Sequence, residues 1–379
     1  MKAAGVIVEF NPLHNGHIEH LQETKRLTGQ NHIIGVMSGN FVQRGEPALC
    51  DKWRRTKMAL QAGVDIVIEL PVPYVVSGAD YFARGSIGLL AATGVVDSLC
   101  FGSESGEANL LKEAGRILAH EPDGYKSVLK QGLNRGLSFA AARGAALESA
   151  LGTAPEGFLT KPNNCLGMEY CKAIYLLGTS MGIFTSNRLG GGPSATAIRK
   201  EILTLKNLSA QMPKYVQEIL QDAINKNEIT KLDDYSEIFR FLLYTKEINM
   251  GEGLENRFRH YAREHPSLSS LMDAVKTKRY TYTRLQRAVI STVLRIEPNI
   301  KSPGYIRILG FKKSAAPLLG EMTRKATLPV ITTGQGMDNL QGSAAKMLAT
   351  EFIAGDIYQM TMGKTCGYRH ERGIPMVIL

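Results

Sequence analysis

Two histidines and a glycine lie close together near the start of the chain, in the segment Asn11-Pro12-Leu13-His14-Asn15-Gly16-His17. The apolar run 3–10 before this segment is typical of a buried strand, and residues 17–27 after it are amphipathic, like a helix. The first turn of a helix offers backbone N–H groups and the positive end of the helix dipole, which together bind phosphate. His14 and His17 would donate to phosphate oxygens there, and Gly16 would let the ligand approach the backbone. The alternative is a pair of histidines that only cap the helix or face solvent.

A second phosphate-binding segment is predicted at Ser194-Ala195-Thr196-Ala197-Ile198-Arg199, after the stretch Gly190-Gly191-Gly192-Pro193. Ser194 and Thr196 stand where a helix begins, so their hydroxyl groups either cap that helix or bind phosphate. The guanidinium of Arg199 is suited to bidentate binding of phosphate oxygens. By itself the segment fits an ordinary cap with an exposed arginine, and the histidine segment is what makes phosphate binding the favoured interpretation.

Other candidates end neighbouring strands or lie in nearby loops. Gly102 ends the fourth predicted strand, where it would admit an adenine or ribose, although it equally fits a tight turn. Arg188 ends the fifth strand, and the loop Lys161-Pro162-Asn163-Asn164 offers an asparagine to cap a helix or contact a base. Where the strand order of a sheet reverses, such loops flank one ligand crevice. The two histidines lack a third protein ligand, so no metal site is predicted.

Strands and helices that would position these residues alternate in the first half of the chain. Predicted strands cover residues 3–10, 32–37, 64–70, 95–101 and 183–187, and predicted helices cover 17–27, 52–62, 79–92 and 108–119. The strands are rich in Val and Ile with little polar alternation, as in strands covered on both faces. The pattern predicts an α/β fold with a doubly wound parallel sheet. Helices at 126–135, 138–150 and 165–177 would form an insertion before the fifth strand.

The second half is organised differently. Helical periodicity covers residues 215–225, 236–247, 254–264 and 282–294, and Pro298, Pro303 and Gly304 then mark a boundary. Strands at 305–311 and 329–332 and a helix at 342–362 follow. The predicted domains are residues 1–205, with a helical insertion near 108–178, a helical region 206–300, and a small mixed α/β region 301–379.

Charge is distributed unevenly along the 379 residues, which carry 45 Lys and Arg against 35 Asp and Glu, a formal net charge of +10. Residues 1–200 contain 20 basic and 17 acidic side chains, whereas residues 201–379 contain 25 and 18. A polyanion fits this excess, although many basic proteins bind none. The five cysteines form no CxxC pair, which is typical of a reduced, cytoplasmic protein. No apolar run reaches the roughly 20 residues of a membrane span.

One run in the second half interleaves basic and aromatic residues: Lys276-Thr277-Lys278-Arg279-Tyr280-Thr281-Tyr282-Thr283-Arg284-Leu285-Gln286-Arg287. Lys278, Arg279, Arg284 and Arg287 would bind an RNA backbone, and the tyrosines would stack a base. The alternative is a solvated helix face with tyrosines packed beneath it.

Several segments resemble known enzymes. The pattern NPxHxGH after the first strand and SxTxIR after the fifth are similar to the HIGH-type nucleotidyltransferase superfamily, which includes class I aminoacyl-tRNA synthetases. The closer resemblance covers essentially the whole chain and is to the bacterial tRNA(Met) cytidine acetate ligase family. It is carried by residues 8–17 (VEFNPLHNGH), 36–47 (VMSGNFVQRGEP), 67–71 (VIELP), 161–164 (KPNN) and 306–311 (IRILGF).

This resemblance implies a Rossmann-like nucleotidyltransferase domain and an enzyme that forms acetyl-adenylate from acetate and ATP, releasing pyrophosphate. The acetyl group would pass to N4 of the wobble cytidine in elongator tRNA(Met), with tRNA bound across residues 206–379. ATP would be a substrate, accompanied by Mg²⁺, and no tightly bound cofactor is expected. The implied catalytic residues are His14 and His17. The implied ATP-binding residues are Ile7, Val8, Glu9, Phe10, Asn11, Pro12, Leu13, His14, Asn15, Gly16, His17, Ile18, Glu19, His20, Gly102, Asn163 or Asn164, Arg188, Ser194, Thr196 and Arg199.

Two other functions stay open on the sequence alone. A small-molecule nucleotidyltransferase of cofactor biosynthesis would use both phosphate-binding segments but leave the basic second half unexplained. A catalytically inactive RNA-binding protein would explain the charge but give the two segments no role.

Overall fold

The computed structural model describes residues 1–187, 195–205, 211–297, 302–362 and 371–379. Its strands are β1 Ala3–Val8, β2 Ile33–Ser38, β3 Phe41–Val42, β4 Glu46–Pro47, β5 Ile66–Leu70, β6 Val96–Ser103, β7 Gly182–Asn187, β8 Ile306–Phe311, β9 Val330–Ile331 and β10 Val377–Ile378. Its α-helices are α1 Asn15–Thr28, α2 Lys52–Ala62, α3 Val72–Val75, α4 Ala79–Ala92, α5 Ala108–His120, α6 Asp123–Asn134, α7 Phe139–Leu151, α8 Pro162–Leu177, α9 Ala195–Leu205, α10 Lys214–Asn225, α11 Ser236–Thr245, α12 Leu254–Tyr261, α13 Leu268–Val275, α14 Tyr282–Val293, α15 Ala316–Lys325, α16 Gly334–Asp338 and α17 Gly342–Met360.

One mixed sheet organises the molecule, with the strand order β10-β8-β5-β2-β1-β6-β7 and β9 paired to β8. The strands β5, β2, β1, β6 and β7 are parallel to one another. The order reverses at β1, which pairs with β2 on one side and with β6 on the other. The loops after β1 and β6 therefore flank the crevice where α/β sheets bind ligands. The predicted α/β fold with a doubly wound parallel sheet is confirmed.

Both faces of the sheet are covered, which explains the near-continuous apolar runs of its strands. Every residue of β2 and β5 is buried. Val6 and Val67 lie in a core with apolar side chains of α1, α2, α9 and α10. Ile34 and Ile68 lie in a second core, which includes side chains of α4, α5 and α17. Burial on two faces removes the polar alternation that a half-exposed strand would show.

Strand β8 comes from the last quarter of the chain but joins the sheet built by the first half. It runs antiparallel to β5, with Val67 opposite Gly310 and Ile68 opposite Ile308. The amino end of β8 consequently lies at the edge where the parallel strands end. The sequence predicted the strand but not its pairing, because pairing between distant segments leaves no local pattern. The domain boundaries near residues 205 and 300 stay a prediction.

The helical segments follow the predicted order. Helices α5 to α8 lie between β6 and β7, where the insertion was expected, and α10 to α14 occupy the helical second region. The prediction omitted α3, α13, α15 and α16, which are short. None of the helices in the described ranges is long and apolar enough to cross a membrane.

Candidate nucleotide site at the carboxyl edge of the sheet

His14 and His17 lie at the amino end of α1, immediately after β1. His14 is the N-cap residue and has an extended backbone. The two imidazole rings stack, with centroids 3.8 Å apart and an interplanar angle of 26°. The backbone N–H of His14 donates to Nδ1 of His17 at 3.2 Å, and Phe10 packs edge-to-face on His17 at 5.1 Å. The rings thus form one surface beside the positive end of the helix dipole, which suits an anion.

The loop between β1 and α1 is anchored by polar contacts. One carboxylate oxygen of Glu9 accepts from the backbone N–H of Gln43 at 2.7 Å and from the hydroxyl of Ser38 at 3.1 Å. The buried guanidinium of Arg55 donates to the carbonyl oxygen of Glu9 at 2.7 Å and to those of Ser38 and Gly39. Burial raises the pKa of Glu9, and its two hydrogen bonds oppose that rise. These contacts hold the carboxyl ends of β1 and β2 together.

Arg199 reaches the same loop from α9. Its Nη1 donates to the carbonyl oxygen of Asn11 at 2.7 Å, and its Nη2 donates to Oε1 of Glu46 at 2.6 Å and Oγ1 of Thr196 at 3.4 Å. The side-chain oxygen of Asn11 accepts from the backbone N–H of Leu49 at 2.7 Å. Its buried Nδ2 has no hydrogen-bond partner among the described residues. A guanidinium, a group well suited to bind phosphate, therefore lies at the histidine loop.

The other wall of the crevice is formed by β6 and β7. Gly102 lies opposite Ser186, and a Cβ at Gly102 would contact only the Ser186 hydroxyl, 3.9 Å away. That hydroxyl lies 2.6 Å from Nδ1 of His20 on α1. Burial lowers the pKa of His20 to about 4, so its ring is neutral at neutral pH. His20 therefore lines the wall as an uncharged group and cannot pair with a phosphate as a cation.

The structure gives the two adjacent asparagines different environments. Asn164 is fully buried, accepts from the backbone N–H groups of Glu104 at 3.1 Å and Ser105 at 3.3 Å, and donates to the carbonyl oxygen of Phe158 at 3.2 Å. Asn163 is only partly buried and donates to a carboxylate oxygen of Glu104 at 2.9 Å. Asn164 thus fixes the loop after β6, and Asn163 is the better placed of the two to meet a nucleotide.

The remaining residues predicted for ATP differ in exposure. The side chains of Val8, Phe10, Pro12 and Leu13 are buried, so they offer a ligand only their backbone. The residues that are partly or fully exposed are Ile7, Asn15, Gly16, Ile18, Glu19 and Thr196. Arg188 and Ser194 lie outside the described residues, so their predicted roles stay predictions.

The basic run of the second half is paired with an acidic residue from outside it, Glu252. Lys278 is exposed, whereas Arg279 and Arg284 each lie 2.9 Å from the carboxylate of Glu252. Burial and the neighbouring Arg284 lower the pKa of Arg287. The net charge that this run offers to RNA is therefore smaller than its composition indicates.

The same run lies beside the candidate site. A Cβ at Gly45, in the turn between β3 and β4, would come within 2.3 Å of the backbone nitrogen of Arg287. Gly45 has φ +79°, a backbone conformation that favours glycine. The absence of a side chain also leaves room for the backbone of Arg287. The adjacent Glu46 is the partner of Arg199. A ligand bound to α14 would thus approach the phosphate-binding loop.

Sequence reasoning missed three residues that shape this site: Arg55, Glu46 and Glu104. Each acts through a contact with a residue that is distant in sequence, and Arg55 stands on α2 among other basic residues, Lys52, Arg54 and Lys57, from which the sequence does not distinguish it. Arg55 binds carbonyl oxygens at the ends of β1 and β2. The sequence could have predicted this role only if the pairing of β1 with β2 had been known.

The HIGH Nucleotidyl Transferase family model matches residues 1–372 of this chain. The tRNA(Met) cytidine acetate ligase of Thermoanaerobacter sp. strain X514 is 40% identical over 384 residues, which covers 95% of each chain. The enzyme of the same name from Caldicellulosiruptor bescii is 41% identical over 347 residues, covering 86% of each chain. The crystal structure of Thermotoga maritima TmcAL bound with alpha-thio ATP is 34% identical and matches with a TM-score of 0.93 over 100% of both chains. The resemblance seen in the sequence motifs is confirmed, and this chain belongs to the tRNA(Met) cytidine acetate ligase family of HIGH nucleotidyl transferases.

Proposed function

We propose that this protein is an ATP-dependent ligase that activates acetate as acetyl-adenylate and acetylates N4 of the wobble cytidine in elongator tRNA(Met). The observation that carries the proposal is the stacked pair His14 and His17 at the start of α1, at the strand-order reversal, with Arg199 bonded to the same loop. Relatives at about 40% identity over 95% of the chain support the substrate assignment.

In the first step a carboxylate oxygen of acetate attacks the α-phosphorus of ATP. A phosphorus–oxygen bond forms to acetate, and the bond to the bridging oxygen breaks, so pyrophosphate leaves with the electron pair. His14, His17 and Arg199 bind the phosphate oxygens and stabilise the charge that moves onto them. ATP enters with Mg²⁺ on its phosphates, which supplies further neutralisation. Acetate offers few contacts, so catalysis depends on holding it in line with the α-phosphorus.

In the second step the exocyclic amine of cytidine attacks the acetyl carbon of the mixed anhydride. The carbon–oxygen bond to phosphate breaks, AMP leaves, and the amine loses one proton. No protein nucleophile is needed for this transfer. Burial raises the pKa of Cys50 and Cys171 to about 12, so neither thiol is a thiolate near neutral pH. The crevice walls of β6 and α1 shield the anhydride from water.

The tRNA is proposed to lie across residues 206–379. The slightly longer range 201–379 contains 25 basic and 18 acidic side chains, an excess of positive charge that suits RNA. The contact of the α14 run with the turn at Gly45 supports this placement, because the next residue of that turn, Glu46, is bonded to Arg199. The target base must be unpaired to reach the adenylate, as a base in an anticodon loop is. We assign both the activity and its substrates to the cytoplasm.

The test is to incubate the purified protein with ATP, labelled acetate and elongator tRNA(Met), and to analyse the digested nucleosides. We expect label in N4-acetylcytidine at the wobble position, and none when ATP is omitted. Absence of label from N4-acetylcytidine would refute the proposal. A parallel reaction with initiator tRNA(Met) measures selectivity.

The two rival functions are separated by pyrophosphate exchange. Acetate-dependent exchange without RNA is expected from acetyl-adenylate formation. Exchange that requires a different acceptor would favour a nucleotidyltransferase of cofactor biosynthesis. RNA binding without any exchange would favour an inactive RNA-binding protein.

A further inference from the structure

A second cavity lies beside the outer strands β8, β9 and β10 of the sheet, outside the nucleotide crevice. It has a volume of about 340 Å³ and opens between β9 and the segment before β10. Strand β9 pairs with β8 at Ile306 and Arg307, and β10 pairs with it at Gly310 and Phe311. The edge of β8 is therefore uncovered at Ile308, which is one of the residues lining the cavity.

The lining of this cavity favours an anion with an apolar body. The lining contains two arginines, Arg307 paired with Glu69 and Glu371 and Arg372 paired with Asp338. Thr332 and Thr333 supply hydroxyl groups, and Trp53 supplies an aromatic ring. Among the described residues no acidic side chain lines the cavity. The pairing partner of Arg372, Asp338, lies outside the lining.

Arg307 holds an unused donor at this place. Only 1% of its surface is exposed, and its Nη1 donates to carboxylate oxygens of Glu69 at 2.8 Å and Glu371 at 2.9 Å. Its Nη2 has no hydrogen-bond partner among the described residues. An unpaired N–H group buried in protein is unfavourable, and an anion in the cavity would satisfy it.

The cavity and the nucleotide crevice share one edge of the sheet. Arg307 lies beside Glu69 at the carboxyl end of β5, and His14 follows the carboxyl end of β1. Strands β8, β5, β2 and β1 are consecutive neighbours, and spacing of about 4.8 Å per strand separates β8 from β1 by about 14 Å. Stacked nucleotides rise about 3.4 Å each, so the separation between the two strands corresponds to about four nucleotides, and the cavity lies further out, on the β9 and β10 side of β8.

We propose that this cavity binds an unstacked base of the tRNA near the target cytidine, with the base against Trp53 and its phosphate on Arg307 and Arg372. The inference rests on the proposed function and adds a second contact of the same substrate. Aromatic and guanidinium groups together are the usual means of binding an unpaired RNA base. A loop anchored in this cavity is positioned to place its neighbouring cytidine at the adenylate.

Trp53 is the only tryptophan of the chain, so its fluorescence reports on this cavity alone. The test measures acrylamide quenching of the full-length protein with and without a tRNA(Met) transcript. We expect tRNA to lower the quenching constant by about twofold or more. CMP or inorganic phosphate at the same concentration should leave it unchanged, and protection by either alone would overturn the proposal in favour of a free-anion site.

Two variants test the same point by kinetics. Arg372→Ala removes one phosphate contact, and Gly334→Leu adds a side chain beside Arg372, since a Cβ there lies 3.7 Å from its Nε. Both should raise the KM for tRNA by about five- to tenfold, with acetate-dependent pyrophosphate exchange unchanged. Arg324→Ala on α15 is the matched control, because it removes one exposed arginine away from the cavity.

The outcomes separate this inference from the proposed function. Unchanged tRNA KM in Gly334→Leu, or unchanged Trp53 quenching with bound tRNA, would overturn the cavity assignment while acetylation continued. Absence of acetylation in the unaltered protein would instead refute the proposed function, and the quenching measurement would still report whether RNA enters the cavity.

Discussion

Arg199 donates to Glu46 at 2.6 Å across a separation of 153 residues. The pair joins α9, which follows β7, to the hairpin of β3 and β4, and the second arm of the same guanidinium reaches Asn11 at 2.7 Å. Glu46 thereby orients an arginine that the sequence predicted as a phosphate ligand. A guanidinium held in place loses less conformational entropy when phosphate binds.

Replacing Arg199 with alanine should lower acetate-dependent pyrophosphate exchange by about ten- to a hundredfold, because a charge-assisted hydrogen bond contributes about 1.5–3 kcal/mol. Arg199→Lys should recover only part of the rate, since lysine lacks the planar fork. The control is Lys200→Ala, the exposed next residue of the same helix. Equal exchange in the Arg199→Ala and Lys200→Ala proteins would remove Arg199 from the phosphate site.

Replacing His17 with alanine should abolish acetyl-adenylate formation, measured by pyrophosphate exchange, while tRNA affinity in a filter-binding assay stays within about twofold. The ring of His17 stacks on His14 at 3.8 Å, so the substitution also removes the surface that orients the second imidazole. His120→Ala, at the exposed end of α5, is the matched histidine control. Loss of tRNA affinity with exchange retained would show that the histidines serve RNA.

The pH dependence of stability should carry a contribution from His20. Its pKa is about 4 in the folded protein, against an ordinary value near 6.5. Between these values the unfolded chain binds more protons, so the free energy of unfolding falls as the pH drops from 6.5 to 4. Below pH 4 the total loss in the free energy of unfolding from this group is about 3 kcal/mol at most.

His20→Asn should therefore weaken that pH dependence, measured by urea denaturation at pH 4.5 and pH 7. His260→Asn, at an exposed position, should leave it unaltered. Identical pH profiles for the unaltered and His20→Asn proteins would show that His20 is not buried as a neutral ring.

The sequence predicted the local elements well and their long-range contacts poorly. The runs at β2 and β5 were recognisable because burial on both faces leaves consecutive apolar residues. The phosphate loop was recognisable because a strand, a glycine and a helix start occur within a few residues. The bond between Arg199 and Glu46 and the pairing of β8 with β5 depend on tertiary packing. No periodicity or spacing within the chain encodes them.

Two glutamates, Glu69 and Glu351, lie in a buried cluster of charged side chains between α2, β5, β8 and the last helices. Their substitutions should change the stability of the protein by different amounts. Glu69 is bonded to Lys52 and Arg307, whose charges hold its pKa low, whereas burial and Glu69 raise the pKa of Glu351 well above its usual value. Glu351 therefore takes up a proton more readily than Glu69.

Glu69→Gln should reduce the free energy of unfolding by about 3–5 kcal/mol, because it leaves the two buried cations Lys52 and Arg307 with a single charged partner, Glu371. Glu351→Gln should change it by about 1 kcal/mol or less, because the raised pKa of Glu351 favours the protonated carboxyl, which an amide resembles in shape. Urea denaturation at pH 7 measures both. Equal losses in the two variants would mean that Glu351 is ionised.

The basic run before and within α14 should contribute to RNA binding in a salt-dependent way. Replacing Lys278, Arg279 and Arg284 together with alanine should weaken tRNA binding and flatten the slope of log K against log salt, since fewer counterions are released. Arg287 is left intact because it is largely buried beside Gly45. An unchanged slope would place the RNA elsewhere.

Glu252→Gln supplies the opposite test on the same surface. Its carboxylate lies 2.9 Å from both Arg279 and Arg284, so its neutralisation frees two guanidinium groups for phosphate. Affinity for tRNA should rise by about two- to fivefold at low salt, and the slope should steepen, because each freed charge is available to displace counterions. Glu255→Gln, three residues further along the chain, is the control, because in the described residues its carboxylate accepts from the backbone N–H of Met250 and bonds to neither arginine. Tighter binding in the Glu252 variant together with weaker binding in the triple variant would assign the arginines to RNA, whereas no change in either would leave them as a solvated ion pair.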